Sequence, residues 1–252
     1  MNKILLLLFT YLVTTSFHKP DFKNTSENTI NDKIKTENIV VKSAKSNLNS
    51  SEEMYTSLQF DNMNILKADV FHKAFTGFNN LKKAGKLPQE AHLLTVCDFS
   101  LSSTVKRLWV IDLNEHKILF NSLVAHGKNT GEEFAQKFSN TESSYQSSLG
   151  FYVTESTYNG SNGYSLKLLG MDSGYNDAAL QRAIVMHGAD YVSEDFIKSQ
   201  KRIGRSWGCP AVPRALAEPI INSIKGKNCL FIFYPDEQYL STSQWLKTDE
   251  VI

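Results

Sequence analysis

Two residues in this chain have the types and the spacing for nucleophilic catalysis. Cys209 stands between Gly208 and Pro210, and His187, followed by Gly188, lies 22 positions before it. A thiol attacks only as thiolate, and with an ordinary pKa of ~8.5 it needs a base or a positive charge beside it to react near neutrality. Imidazole takes up a proton in that range. The pair therefore fits acyl transfer, with Cys209 as nucleophile and His187 as base. The alternative is structural, because a free Cys is often a small buried hydrophobe.

Acyl transfer also builds negative charge on a carbonyl oxygen, which converging backbone N–H groups stabilise. In Ser206-Trp207-Gly208-Cys209 the glycine permits the bend, and Pro210 has no N–H to give. Donors are expected from Trp207, Gly208 and Cys209. Helical spacing from Arg214 to Lys225 puts a helix N-terminus close to Cys209, where its dipole favours thiolate by a few tenths to ~1 kcal/mol. Gly188 is expected to let the backbone turn and a substrate approach. Arg205, ahead of Arg202, suits substrate carboxylates through paired hydrogen bonds, or is a solvated loop charge. Ser206 either supports its loop or acts in the site. Tyr191 and Ser193 follow His187 closely enough to flank a pocket. His126-Gly127 repeats the His–Gly pair at a strand end, and lines the same cleft or is a turn histidine. A metal site of His126, His187 and Cys209 lacks short ligand spacing, so no metal and no other cofactor is expected.

These residues need a frame. Leu93–Phe99, Arg107–Leu113 and Lys117–Ala125 read as strands, the last two joined at Asn114-Glu115. Phe151–Thr154, Ser165–Leu169, Ala183–His187 and Cys229–Tyr234 follow. Long loops are expected at 126–149 and 188–208. Upstream, apolar residues at helical spacing from Met54 to Leu81 predict two or three helices, with breaks near Asp61 and Gly77. The fold class is a β-rich α+β domain with an N-terminal helical segment. The organisation read is a signal peptide at 1–17, a flexible polar linker at 18–52, the helical segment at 53–88, a catalytic domain at 89–240 and a tail at 241–252.

The first residues decide the compartment. Lys3 precedes an apolar run from Ile4 to Val13, too short to span a bilayer and the right length for a signal-peptide core. Export to the periplasm or cell envelope is expected, with no integral membrane domain beyond that sequence. Hydrophobic residues make up 41% of the 252, enough for a core, and the net charge of +1 gives no reason to expect nucleic acid. Of the three cysteines, Cys97 and Cys229 lie in apolar strand-like runs. They are either bridged or, as their surroundings favour, buried free thiols, which leaves Cys209 over. The sequence does not set the oligomeric state.

His187-Gly188 followed by Ser206-x-Gly208-Cys209 resembles the signature of the murein L,D-transpeptidase catalytic domain, the YkuD-like family. Those enzymes carry Ser/Thr-His-Gly-Cys; here Trp207 replaces the second His, and GRSWGCPAVP resembles a branch with that feature. The resemblance extends through DFSLSSTVKRLWVIDL, VAHGKNTG, SSLGFYVT and YSLKLLGMDSG, covering residues 90–235. It implies an L,D-transpeptidase-like mixed β-sandwich or sheet and a cysteine enzyme acting on peptidoglycan stem peptides. Cys209 would attack the amide between a diamino acid and a terminal D-residue, and the acyl group would pass to an amine or to water. His187 would be oriented by a carbonyl at or beside Gly188, and carbapenem-type β-lactams would acylate the thiol. Trp207 is expected to wall the pocket and favour transfer to an amine. The alternatives are an L,D-carboxypeptidase or amidase, and a wall-binding module without turnover.

Overall fold

A computed structural model describes residues 50–247. The expected signal peptide, the linker up to residue 49 and the tail residues 248–252 lie outside the described residues. Helix α1 (residues 50–57) and α2 (Ala68–Lys83) precede a single eight-stranded sheet. Its strands are β1 (Leu93–Asp98), β2 (Leu108–Asp112), β3 (Lys117–Ser122), β4 (Gly150–Gly160), β5 (Gly163–Gly170), β6 (Val185–Ala189), β7 (Ala211–Pro213) and β8 (Cys229–Phe233). Helices α3 (Glu194–Gln200), α4 (Arg214–Ile224) and α5 (Glu237–Thr242) complete the domain. The spatial order is β3-β2-β1-β8-β4-β5-β6-β7, with β1·β8 and β6·β7 parallel and the other pairs antiparallel. Among the described residues no helix is long and apolar enough to cross a membrane.

The centre of the sheet explains why its strands were readable. β1, β2 and β8 are buried at every residue, so LLTVCD, LWVID and CLFIF show continuous apolar runs with no exposed face. Cys97 and Cys229 lie there as buried free thiols, Cys229 opposite Leu94 and Cys97 opposite Ile232. One side of the sheet is covered by α2. The helix is unbroken at Gly77, where a break was expected; the glycine serves packing, since a Cβ there would meet the Phe151 ring at 2.0 Å. Phe151 in turn stacks on Phe231, with ring centroids 4.1 Å apart. The expected break near Asp61 is present: the chain leaves the helical conformation after residue 57, and Asp61 has φ 48°.

Four other segments differ from expectation. β4 and β5 extend well past 151–154 and 165–169 as a ribbon whose outer half alternates intermediate and exposed residues, so TESTYNG carries little apolar signal. The loop at 188–208 contains α3, and Ser193 caps it by accepting a hydrogen bond from the Phe196 N–H. Ser193 therefore does not flank the cleft. Residues 50–52, read as the end of the linker, are helical, with Ser51 buried. Residues 241–247, read as tail, dock through Trp245. Its side chain is buried and donates to the Met171 carbonyl at 2.7 Å.

The far edge of the sheet builds the site. Ser165 of β5 pairs with His187, and His187 pairs with Ala211 of β7. α4 follows β7 and packs back on β6. The 126–149 loop is tied to the same edge by bridges Ala125↔Ala211 and Gly127↔Ser206.

Candidate active site

The register places Cys209 two residues ahead of Ala211, the partner of His187. Both side chains line one cleft of 460 Å³, together with Tyr158, Arg182, Tyr191, Arg205, Ser206 and Trp207. His187 is 4% exposed, in a strand buried at every position. Its Nδ1 is 3.1 Å from the Gly188 carbonyl oxygen, an acceptor only. Nδ1 therefore carries the proton, and Nε2 is left as the basic nitrogen. Burial holds His187 below the usual imidazole range; the Gly188 carbonyl opposes this and Arg214 adds to it. The ring is thus neutral at pH 7 and able to accept a proton.

Cys209 is half-buried, and its Sγ donates to the Ala183 carbonyl at 3.8 Å. Burial pushes the thiol up, opposed by the Val185 N–H directed at the sulfur and by the charge of Arg182. The expected dipole assistance does not apply. β7 lies between Cys209 and Arg214, the first residue of α4, and a helix dipole fades within its first turn. The resting pair is a neutral thiol and a neutral imidazole.

The turn around Cys209 rests on Ser206. That residue is buried; its Oγ donates to the Cys209 carbonyl at 2.6 Å and accepts from the Gly208 N–H at 3.0 Å. Of the three expected donors, Gly208 is therefore engaged within the turn, and the N–H groups of Trp207 and Cys209 remain. Gly208 needs to be glycine twice over. Its φ is +124°, and a Cβ would lie 2.7 Å from the Gln146 carbonyl.

Several candidates have other duties. Gly188 continues β6 instead of turning it, and a Cβ there would meet Ala217 Cβ at 2.9 Å and Arg214 Cα at 3.1 Å, so it lets α4 pack close. Arg205 lines the cleft, but its Nη1 bonds Glu132 at 2.6 Å and the carbonyls of Lys128 and Gly131. Arg202 holds the same Glu132 at 3.0 Å. His126 is not in the cleft. It is 1% exposed, receives a hydrogen bond from Arg107 on Nδ1 at 2.8 Å and gives one from Nε2 to Gly131 at 3.2 Å. Burial first and the Arg107 charge second push it down to about 3, so it is a neutral core residue. Tyr191 does line the cleft, and burial pushes its phenol up to about 12. Trp207 stands at the rim, 71% exposed, with its ring 5.6 Å from Tyr145.

Two parts of the cleft were not anticipated. Tyr158, Ser161 and Asn162 from the tip of the β4–β5 ribbon form one wall, and Arg182 lies near Cys209. The ribbon's polar alternation was a weak signal. Arg182 gave none, since its partners are all remote in sequence.

Residues 62–233 match the L,D-transpeptidase catalytic domain family. Solved structures with similarity include an L,D-transpeptidase from Mycobacterium smegmatis, 12% identical over 57% of this chain and 59% of that one, with a TM-score of 0.36. A mutant of the helical cell shape determining protein Pgp2 from Campylobacter jejuni is 14% identical over 65% and 55%, at 0.39. An L,D-transpeptidase from Stackebrandtia nassauensis is 12% identical over 73% and 90%, at 0.35. The chain spans 59% of the length of the first of these. No curated protein matches the chain.

Proposed function

The chain belongs to the L,D-transpeptidase catalytic domain family, and on that premise we propose that it is an exported enzyme transferring acyl groups of peptidoglycan stem peptides through Cys209. The observation that carries the reading is the presence of His187 and Cys209 in the lining of one cleft, with His187 Nδ1 committed to the Gly188 carbonyl. His187 Nε2 takes the Sγ proton as the sulfur adds to the amide carbon between the diamino acid and the terminal D-residue. The N–H groups of Trp207 and Cys209 meet the oxyanion. Collapse breaks the C–N bond, His187 returns the proton to the departing amine, and a thioester on Cys209 remains. An amine acceptor or water then attacks that thioester, with His187 again as base.

Hydrolysis is a second reading with an observation of its own. Trp207 at 71% exposure leaves the mouth of the cleft open to water, which favours an L,D-carboxypeptidase outcome beside cross-linking. The test is incubation with a purified stem tetrapeptide, with and without an amine acceptor. Loss of the terminal D-residue that disappears in Cys209→Ala supports the enzyme. A cross-linked product against a shortened peptide separates transfer from hydrolysis. Binding without turnover in the wild type overturns the enzymatic reading in favour of a wall-binding module.

A further inference from the structure

The segment entering β6 makes a wall of the thiol site that the two-residue mechanism does not use. Ala183 has φ 55°, unusual for a residue with a side chain, and this turns its carbonyl to the Cys209 sulfur. Two residues on, the Val185 N–H is directed at the same sulfur. Arg182, immediately before the turn, lines the cleft. Its Nη1 donates to the Ser139 carbonyl at 2.8 Å and to Ser148 Oγ. Nη2 donates to Ser144 Oγ at 3.1 Å and the Gln146 carbonyl at 2.9 Å. These partners are hydroxyls and carbonyls, so they fix the guanidinium without cancelling its charge.

The same loop seats the nucleophile's turn. Ser147 Oγ donates to the Gly208 carbonyl at 3.1 Å and receives the Gly127 N–H at 3.1 Å. Other ionisable groups facing the sulfur are His187 from β6, Tyr191 beyond it, Tyr158 from the ribbon tip and Arg205 from the thiol's own loop. His187 and Tyr191 are uncharged near neutrality, and Arg205 is paired with Glu132. Among the described residues, Arg182 is thus the cation of this cleft whose partners are all neutral.

We infer that Arg182 is a positioning residue for the acyl transfer: it holds the 139–148 loop against the Cys209 turn and supplies the fixed positive charge that allows the thiolate to form. The inference rests on the reading of Cys209 as nucleophile. An opposite charge close by lowers the pKa of an acid by roughly one to three units, and half-burial places this case near the lower end, about a tenfold change in thiolate at a given pH.

The test is the pH dependence of iodoacetamide alkylation in the full chain, read by intact mass. Cys97 and Cys229 are fully buried, so the single fast adduct reports Cys209. Arg182→Gln is expected to move the alkylation midpoint up by about one pH unit, with roughly tenfold slower labelling below it, and Arg182→Lys to restore most of the shift. Arg182→Met, close in volume, replaces the Gln variant where thermal unfolding shows that one not to fold. A midpoint unchanged in a folded neutral variant overturns the inference, as does a Lys variant displaced as far as the neutral one, which would mark a role in packing alone. Labelling needs no stem peptide, so failure here leaves acyl transfer standing, and failure of acyl transfer leaves the midpoint shift standing.

Discussion

The chain contains two His–Gly pairs at strand ends, and the fold gives them opposite fates. His126 has both ring nitrogens occupied, one by Arg107 and the other by the Gly131 carbonyl. His187 has one nitrogen occupied by its neighbour's carbonyl and faces the cleft with the other. Both rings are buried and both are held below the usual imidazole range. Burial and depressed basicity therefore do not distinguish the two rings. The uncommitted nitrogen of His187, in a cleft that also holds the Cys209 thiol, does.

The largest break in this comparison is expected from exchanging the rings for glutamine. His187→Gln should lower stem-peptide turnover by 10²–10⁴-fold, the usual span for a general base, with the thermal midpoint nearly unchanged. His126→Gln should leave turnover per folded molecule close to wild type, since an amide can replace both hydrogen bonds. His126→Leu should cost about 3 kcal/mol in urea unfolding, because the fully buried Arg107 guanidinium loses one of its acceptors.

A pH series sharpens the contrast. His126 is held to about 3 when folded, against 6.5 ordinarily. Between those values the unfolded chain binds a proton that the folded chain refuses, so its contribution is full above pH 6.5 and is lost as pH falls. Relative to His126→Gln, the wild type should lose up to about 1.4 kcal/mol per pH unit below that point. Asp172 works in the opposite direction. Burial pushes it up to about 6 from 3.8, so the folded chain keeps a proton that the unfolded one releases, and stability rises as pH falls through that window. The two opposing effects mix in an absolute unfolding curve, so the difference between the two proteins is the quantity to measure.

The glycines beside the two rings give a smaller effect. Gly188→Ala pushes against Ala217 and Arg214 of α4 and should cost about 1–3 kcal/mol, together with activity, because it moves the carbonyl that orients His187. Smallest is Glu132→Gln. It loosens Arg202 and Arg205 from an exposed carboxylate and should change the unfolding free energy by less than about 1 kcal/mol.

How far the sequence revealed this arrangement depended on where each residue's partners lie. Cys209 and His187 were legible because reactive types stood beside glycines at the ends of apolar runs. β1, β2 and β8 were legible because both faces are buried. The fate of His126 was hidden, since Arg107 is 19 positions away and nothing local marks it as a partner. Arg182 was hidden for the same reason, its bonds reaching 34 to 43 positions along the chain. The ribbon tip that walls the cleft is polar and lies between the two expected strands, where no apolar pattern marks it. Arg205 has the chemistry to hold a substrate carboxylate, yet an acid of its own chain takes that place.

The most direct test of the central claim is intact protein mass after brief exposure to a stem tetrapeptide, comparing wild type, Cys209→Ala, His187→Gln and His126→Gln. The account predicts a thioester adduct lacking the terminal D-residue on wild type and His126→Gln, little or none on His187→Gln, and none on Cys209→Ala. An adduct that persists in Cys209→Ala, or that is lost in folded His126→Gln while His187→Gln retains it, would contradict the account.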